Sequence, residues 1–381
     1  MKAVIAIDSF KGSLSTFESG KAASEGIKRV YPDAECVICP LADGGEGTVD
    51  AIISAVEGEM ITLNVTDPLG GRVDAKYGFI PQTKTAVIEM SAAAGITLVA
   101  PENRDPLKTT TYGVGELILH AIKELGCRSF IIGIGGSATN DGGIGMLEAL
   151  GFEFLDEGGS PVARCGAGLE KIAEIRTTGA IKELSECIFN VACDVKNPLC
   201  GENGCSAIYG PQKGATPETV KKMDSWLSSY ASLTASTFGC DYSEYPGAGA
   251  AGGLGFAFIS YLGGRLTSGI ELVIDVTALE EKIKDADVVI SGEGRLDAQS
   301  AMGKAPIGVA RAAKKYGKPV IAFAGAIKED ASVCNESGID AFFPILRKPC
   351  SLEEAMDVGN AYRNLADTAE QTFRLIKAFN S

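Results

Sequence analysis

The sequence predicts a mixed α/β protein: a flavodoxin-like, doubly wound parallel sheet of five strands in the order 2-1-3-4-5, with a second α/β domain inserted into it. Short apolar runs alternate with helix-forming segments at both ends of the chain, which is the pattern of a parallel sheet covered by helices. The middle of the chain instead begins with strand-like segments joined by a turn signal. At 381 residues, the chain is also long enough for two or three domains.

The first domain is predicted from residues 1–58 and 282–381, the two ends of the chain. Its strands are expected at residues 3–7, 35–41, 287–291, 318–324 and 341–346. Its helices are expected from 16 to before 32, from the capping-box spacing at 43–46 to about 56, at 307–316 and 329–337, and from 351 toward 379. Right-handed crossovers place the first strand beside the third, and ligands bind at such a switch point.

The inserted domain is predicted over residues 59–281. Its strands are expected at 60–65, 72–80, 84–90, 129–134 and 187–193, and its helices at 113–125, near 143–150 and after Thr216-Pro217. The sequence DPLGG at 67–71 predicts a turn between the first two strands, because Asp, Pro and Gly favour tight turns.

Composition excludes several classes of function. With 35 Lys and Arg against 49 Asp and Glu, the formal charge is −14, which argues against nucleic acid and anionic membranes as partners. Eleven scattered cysteines favour reduced thiols and a cytoplasmic location over a disulfide framework. The single histidine, His120, excludes a multi-histidine zinc site. The N-terminal apolar run is too short for a signal peptide. Whether the protein forms a homo-oligomer stays open.

Two glycine-containing loops follow predicted strands near the N-terminus. The sequence DSFKGS at 8–13 places Ser9 and Lys11 before a helix, where free N–H groups and the helix dipole favour an anionic ligand. The alternative is an ordinary loop with a solvated lysine. In LADGGEGT at 41–48, Asp43 is either a ligand of Mg²⁺ or an N-cap paired with Glu46.

Three further glycine loops lie later in the chain. The sequence GIGGSATNDGG at 133–143 separates a strand from a helix, and we expect a phosphate cradle there rather than a plain tight turn. The sequence GAGAAGGLG at 247–255 contains GxGxxG, but no convincing strand precedes it, so it is a weak dinucleotide fingerprint. The sequence SGEGRLD at 291–297 leaves the third strand and offers Arg295 and Asp297, with Lys304 beyond them. Arginine pairs bidentately with carboxylate or phosphate, although a solvated charged loop is the alternative.

Two shorter segments add a carboxylate and a lysine. Asp194 follows an apolar strand and is a candidate general base or metal ligand. Lys213 lies in a loop before a helix that starts with Pro217. Glycine loops, cations and strand-end carboxylates together fit phosphoryl transfer, in which positioning, a divalent ion and a carboxylate base suffice. A nucleotide-linked dehydrogenase of a small hydroxy acid and a non-catalytic nucleotide-binding protein remain alternatives.

Over its whole length the sequence resembles the type-1 family of bacterial glycerate kinases. The resemblance rests on several motifs in the same order: DSFK at 8–11, ADGGEGT at 42–48, GIGGSATNDGG at 133–143, ACD at 192–194, GPQKGA at 210–215, PGAGAAGG at 246–253 and GEGRLD at 292–297. It implies a flavodoxin-like domain with a second α/β domain. It also implies transfer of the γ-phosphoryl group of ATP to D-glycerate with Mg²⁺, giving 2-phosphoglycerate as the usual product.

Residue roles follow as hypotheses from strand-end position and side-chain chemistry. We expect in-line transfer in a cleft between the domains, with the triphosphate on Gly135, Gly136 and Ser137. Lys11 would supply a cation, and Lys213 would bind the nucleotide. The substrate would contact Ser9 and Asp297, its carboxylate would bind Arg72 or Arg295, Asp194 would be the general base, and Asp43 would help hold Mg²⁺.

Overall fold

The computed structural model describes residues 1–42, 45 and 47–379. The predicted metal ligand Asp43 and its predicted capping partner Glu46 lie outside the described residues. Among those described, no helix combines the length and the apolar character that a membrane span requires.

Strands alternate with helices along most of the chain. The strands are β1 (Lys2–Ile7), β2 (Glu35–Ile38), β3 (Glu59–Thr66), β4 (Arg72–Ile80), β5 (Thr85–Glu89), β6 (Ser129–Gly133), β7 (Glu153–Leu155), β8 (Glu174–Arg176), β9 (Ile188–Ala192), β10 (Arg265–Thr267), β11 (Val288–Leu296), β12 (Val320–Ile327) and β13 (Ala341–Pro344). The helices are α1 (Thr16–Lys28), α2 (Thr48–Val56), α3 (Ser91–Ala94), α4 (Tyr112–Lys123), α5 (Ile144–Ala149), α6 (Cys205–Tyr209), α7 (Pro217–Phe238), α8 (Ala250–Leu262), α9 (Gly269–Val276), α10 (Leu279–Lys284), α11 (Ala305–Lys314), α12 (Val333–Glu336), α13 (Leu352–Met356) and α14 (Val358–Phe379).

Chain contacts divide the described residues into two compact units. The terminal unit contains residues 1–42, 54–56 and 270–379, and the central unit contains residues 45, 47–53 and 57–269. The sequence places its boundaries at 58/59 and 281/282 instead, and its assignment of an inserted domain and of a cleft between domains stays a prediction.

The terminal unit is built on a five-stranded parallel sheet in the order β13-β12-β11-β1-β2. This is the predicted flavodoxin-like order, so the fold class is confirmed. In the register, Ile7 lies opposite Gly292, so β1 ends at the switch point while β11 continues beyond it to Leu296. Ala3, Ile5 and Ile7 of β1 are buried in a cluster with residues of helices α1 and α14. The predicted capping box is present, since Ser15 Oγ accepts the Glu18 N–H and the Glu18 carboxylate accepts the Ser15 N–H.

The central unit contains a six-stranded mixed sheet in the order β10-β9-β6-β5-β4-β3. Strands β5, β6, β9 and β10 are parallel, whereas β3 and β4 form an antiparallel hairpin on one edge. The core packs aromatic side chains on one another, with the Phe130 and Phe189 rings stacked 4.8 Å apart. Because the carboxyl ends of the parallel strands share one edge, their loops are neighbours there.

Two sequence expectations are wrong in detail. Residues 292–296 are not a loop, because β11 continues to Leu296 by pairing with β12 as far as Ile327. The final helix is interrupted at Asp357, whose backbone is extended, so α13 and α14 are separate. The segment at 247–255 enters α8 through a kink in which Ala251, Gly252 and Gly253 have positive φ.

Candidate functional site

The terminal unit carries a cavity of about 520 Å³ at its switch point. The loop after β1, the end of β11 and the loop after β13 supply its walls, with α13 and the start of α14. Its polar lining is Asp8, Ser9, Lys11, Ser13, Glu293, Arg295 and Lys304, and its apolar lining includes Phe10, Ile345, Leu346, Leu352 and Met356. The structure therefore brings together the sequence-predicted residues Ser9, Lys11 and Arg295.

The loop after β1 is anchored so that its lysine stays at the surface. Phe10 and Leu14 are buried and exchange backbone hydrogen bonds, with Phe10 N to Leu14 O at 2.8 Å. Lys11 lies between these anchors and is exposed. The Ser9 N–H donates to Asp8 Oδ1 at 2.7 Å, which fixes the start of the loop. The apolar anchors thus hold Lys11 beside the cavity.

Two carboxylates that the sequence-based hypothesis left without a role also line this cavity. Asp8 and Glu293 are both buried, at 8% and 9% exposure. They follow paired positions on adjacent strands, since Asp8 N donates to Gly292 O at 2.9 Å. Asp8 directly follows β1, and Glu293 lies in β11 just beyond the strand end that the sequence predicts at residue 291; an acidic residue after each predicted strand is the signal that could have identified them. Hard carboxylate oxygens of this kind suit a magnesium ion.

Asp297 lies beneath Arg295. Its carboxylate is only 2% exposed, and Oδ2 lies 3.4 Å from both Arg295 Nε and Lys328 Nζ. Oδ1 accepts the N–H groups of Gln299 and Ser300 at 3.1 and 3.3 Å. Burial opposes ionisation, but the hydrogen bond and charge of Lys328, with help from other cations, lower the pKa of Asp297 below its ordinary value. Asp297 therefore holds the Arg295 guanidinium in place.

In the central unit, the loop at 133–143 is fixed from two sides. Ile96 N donates to Gly136 O at 2.8 Å and Ala138 N to Ala94 O at 2.9 Å, so the segment after β5 pairs with it. On another side, Gly142 N donates to Gly252 O at 2.9 Å. Gly135 and Gly136 are exposed, whereas residues 137–143 are buried. The loop thus presents its first glycines to solvent from a rigid base.

The base of this loop contains a buried lysine. Lys213 is 2% exposed, and its Nζ donates to Ser137 Oγ at 2.8 Å and to Thr139 O at 2.6 Å. Burial lowers the pKa of Lys213 to about 8. The structure thus brings together Gly135, Gly136, Ser137 and Lys213, as the cradle hypothesis requires.

Asp141 stabilises the same loop from inside. It is fully buried and accepts hydrogen bonds from the N–H and hydroxyl of Thr111, both at 2.8 Å, and from Gly143 N at 3.1 Å. Burial raises its pKa despite these bonds. The sequence places Asp141 in a candidate cradle without a role, and its contacts show that it holds the loop in shape.

Asp194 lies just beyond β9 and is exposed. Its Oδ1 accepts the Gly269 N–H at 3.1 Å, at the first residue of α9. One carboxylate oxygen thus contacts a helix N-terminus while the side chain remains accessible to solvent. This arrangement is compatible with a general base.

Arg72 is placed differently from the other predicted residues. Its guanidinium pairs with Glu116 at 3.1 Å and donates from Nε to Asn64 Oδ1 at 2.9 Å, at the start of β4. These contacts fix the edge hairpin to α4. Arg72 belongs to the central unit, whereas Arg295 lines the terminal-unit cavity with Ser9 and Lys11.

Glu89 is a strand-end carboxylate that sequence reasoning missed. Its Oε1 accepts the Val49 N–H at 2.9 Å, in the first turn of α2. Burial raises the pKa of Glu89, although bonds from the N-terminal N–H groups of α2 act in the opposite direction. The sequence predicts a strand over residues 84–90, which places Glu89 inside it. In the structure the strand ends at Glu89, and this strand-end position is the feature that would have pointed to the residue.

His120 has a structural environment. Its Nδ1 lies 2.7 Å from Tyr77 Oη, and Tyr77 is fully buried. Among the described residues, no three His, Cys, Asp or Glu side chains are grouped as a metal site would need. A site built on protein ligands alone therefore has no support in the described part of the chain.

The chain matches the model of the glycerate kinase family over residues 3–377. The chain belongs to the glycerate kinase family. It is 51% identical over 376 residues to a glycerate kinase of Haemophilus influenzae, which covers 99% of both chains. It is 49% identical over 373 residues to the glycerate 2-kinase of Escherichia coli K12, covering 97% of this chain and 98% of the relative. These matches confirm the resemblance and make the protein a phosphotransferase.

A solved structure supports the same family. The crystal structure from Salmonella typhimurium LT2 described as a glycerate kinase 2 superposes with a TM-score of 0.92 at 48% identity. The match covers 100% of this chain and 99% of that one. The glycine segment that suggested a dehydrogenase lies in the kinked start of α8 rather than after a strand, so it lacks the setting of a dinucleotide fingerprint.

Proposed function

We propose that this glycerate kinase transfers the γ-phosphoryl group of ATP to the 2-hydroxyl of D-glycerate with Mg²⁺, giving 2-phosphoglycerate and ADP. The grouping of Ser9, Lys11 and Arg295 around one cavity at the switch point supports this most directly. The Escherichia coli relative is named for the 2-position. A cytoplasmic location belongs to the same proposal.

The terminal-unit cavity provides cations for an anionic substrate. In the proposal, Arg295 binds the glycerate carboxylate, because a planar guanidinium matches a carboxylate bidentately. Asp297 orients that guanidinium through the 3.4 Å ion pair and takes no direct part in binding. Lys11 and Ser9 add a cation and a hydroxyl on the same wall.

Magnesium fits the donors of the terminal unit. Asp8, just after β1, and Glu293, within the neighbouring strand β11, are buried carboxylates, and their like charges favour a cation between protein and phosphate oxygens. They would hold Mg²⁺ in the proposal, and Asp43 stays a predicted ligand outside the described residues. When bound, the ion would neutralise the negative charge that develops on the phosphates during the transfer.

The central unit supplies the phosphate loop and the base. Exposed Gly135 and Gly136 would offer backbone N–H groups to the triphosphate. The 2-hydroxyl oxygen then bonds to the γ-phosphorus while the bond from that phosphorus to the β–γ bridging oxygen breaks. Asp194 accepts the hydroxyl proton. The proposal thus takes groups from both units.

The test is an ADP-release assay with ATP, Mg²⁺ and D-glycerate, followed by phosphorus NMR of the product. We expect 2-phosphoglycerate. The turnover rate should be higher with D-lactate, which keeps the 2-hydroxyl, than with 3-hydroxypropionate, which lacks it. A 3-phosphoglycerate product would overturn the assignment of the hydroxyl, and absence of ADP release would overturn the activity.

A further inference from the structure

Lys213 carries its charge in an unusual place. Its side chain is 2% exposed, and two of its three ammonium protons are directed to Ser137 Oγ and Thr139 O, at 2.8 and 2.6 Å. The two acceptors are alternate residues of the loop at 133–143. One buried cation therefore fixes the segment that follows the exposed glycines.

This charge has no ion-pair partner in the part of the chain that the structure describes: no carboxylate oxygen lies within 4 Å of Lys213 Nζ. The charged or titratable groups that influence it are Asp141 and Cys205. Asp141 is already engaged by Thr111 and Gly143, and burial raises the pKa of the Cys205 thiol to about 11, which leaves that thiol neutral at pH 8. Asp141 acts on Lys213 only at a distance, so the buried charge makes no ion-pair contact, and an anion bound at the loop would compensate it further.

The direction of the hydrogen bond determines where Ser137 points its own proton. An ammonium group has donors and no acceptor, so Ser137 Oγ must accept from Lys213. The hydroxyl proton of Ser137 is then directed away from Lys213. Ser137 retains 8% exposure beside exposed Gly135 and Gly136, so this proton can reach an acceptor held above the loop.

We propose that Lys213 is a positioning residue for the nucleotide phosphates: it provides the buried positive charge of the loop and directs the Ser137 hydroxyl toward a phosphate oxygen without touching the ligand. This inference rests on the proposed function of the loop as the phosphate site. It differs from the sequence-based hypothesis, in which Lys213 contacts the nucleotide itself.

Protonation of Lys213 then controls phosphate binding. Because burial lowers the pKa of Lys213 to about 8, the free enzyme loses the charge above that pH. A neutral amine can accept a hydrogen bond, so the Ser137 proton would turn toward Lys213 and the phosphate would lose both a charge and a donor. A bound phosphate favours the ammonium, so affinity should fall about tenfold per pH unit above the pKa.

The experiment measures ADP affinity by calorimetry and the KM for ATP and for D-glycerate, each from pH 7 to 9.5. In the unsubstituted enzyme, the KM for ATP and the Kd for ADP should rise together above pH 8, while kcat at saturating ATP changes little. In Lys213→Arg, whose charge persists throughout this range, the KM for ATP and the Kd for ADP should no longer rise above pH 8. Lys213→Met should bind ADP weakly at every pH.

Ser137→Ala tests the path through the hydroxyl. It should raise the Kd for ADP about 10- to 100-fold, as loss of a hydrogen bond to a charged group does. Added to Lys213→Met, the same substitution should have a smaller effect than it has in the unsubstituted enzyme, because without Lys213 the Ser137 hydroxyl is no longer directed toward the phosphate. Lys222→Met, on the exposed surface of α7, is the matched control and should leave the Kd for ADP and the KM for ATP unchanged.

The outcomes separate this inference from the proposed function. Turnover of D-glycerate by the unsubstituted enzyme tests the function alone. Any of three results would overturn the role of Lys213. The Kd for ADP could still rise above pH 8 in Lys213→Arg, the ADP affinity could be unchanged in Ser137→Ala, or the substitutions could change only the KM for glycerate. If Lys213→Met fails to fold by circular dichroism, the Ser137→Ala variant and the pH profiles decide the question.

Discussion

The two units differ in how their cations are exposed near the carboxyl ends of the parallel strands. In the terminal unit, Lys11 and Arg295 are exposed around an open cavity. In the central unit, Lys213 is buried beneath a glycine loop and bonds to the protein. Exposed cations attract anions at modest, salt-screened strength, whereas a buried cation acts strongly at short range and titrates near neutrality. This difference matches the division of roles in the proposed function, in which the terminal unit captures the substrate and the central unit holds the phosphates.

The largest expected effect tests whether the central unit supplies the base. Asp194→Asn should lower kcat by about 10²- to 10⁴-fold with a small change in KM, because the amide cannot accept the proton. The amide oxygen can still accept the Gly269 N–H, so the fold should be kept. Steady-state kinetics with D-glycerate measures this.

Its matched control is Asp224→Asn, another central-unit carboxylate that accepts a backbone N–H, in this case from Gly201 at 2.9 Å. This variant should keep full turnover. Equal losses in the two variants would assign Asp194 a structural role and remove the base from the central unit.

A smaller effect is expected where the terminal unit captures the acid. Arg295→Ala should raise the KM for D-glycerate about 10- to 100-fold, the value of a charge-assisted hydrogen bond, with little change in the KM for ATP. Lys328→Ala is the control, because Lys328 also lies 3.4 Å from Asp297 and does not line the cavity. If both variants behaved alike, the effect would come from Asp297 and not from a substrate contact.

The rigidity of the central loop can be tested through stability. Gly252 has φ +68°, and a Cβ there would collide with the Thr139 carbonyl. Gly252→Ala should lower the free energy of unfolding by more than the ~1–3 kcal/mol of left-handed strain alone. Gly239→Ala has the same strain, at φ +77°, with open space around the position. Denaturant unfolding that showed equal losses would contradict the close packing.

The smallest effect concerns the pH dependence of the terminal unit. Because the pKa of Asp297 is lowered in the folded protein, its ionised form stabilises the fold above its unfolded pKa of about 4. This stabilisation is lost as pH falls through the lower, folded value. Asp297→Asn should therefore be less stable than the unsubstituted protein at pH 7, and the difference in thermal midpoint should narrow below pH 4. A constant difference would show that ionisation plays no part.

The sequence predicted the sheet of the terminal unit because each of its strands is a short apolar run between helix signals. It placed Ser9, Lys11 and Arg295 at strand ends, where the structure groups them. It did not predict that β11 extends to Leu296, since that extension depends on pairing with β12, which follows later in the chain. Polar, glycine-containing residues that are strand only because they pair with a later segment of the chain have the composition of a loop.

The central site was only partly predictable for a related reason. The glycines at 135 and 136 indicate a loop, but a lysine in GPQKGA resembles any solvated loop lysine. Its burial depends on contacts with Ser137 and Thr139, 76 and 74 residues earlier. Arg72 has the right chemistry for a carboxylate, yet a neighbouring strand and α4 supply Asn64 and Glu116 as its partners.

The contact between the kinked start of α8 and the loop at 133–143 has a consequence for transplantation. Gly252 and Gly253 lie backbone to backbone with Thr139, Asn140 and Gly142, and no side chain separates them. A protein engineer who moved the loop at 133–143 alone into another scaffold would leave its rear face without support. The loop and the start of α8 would have to be transplanted together, because each packs directly on the backbone of the other.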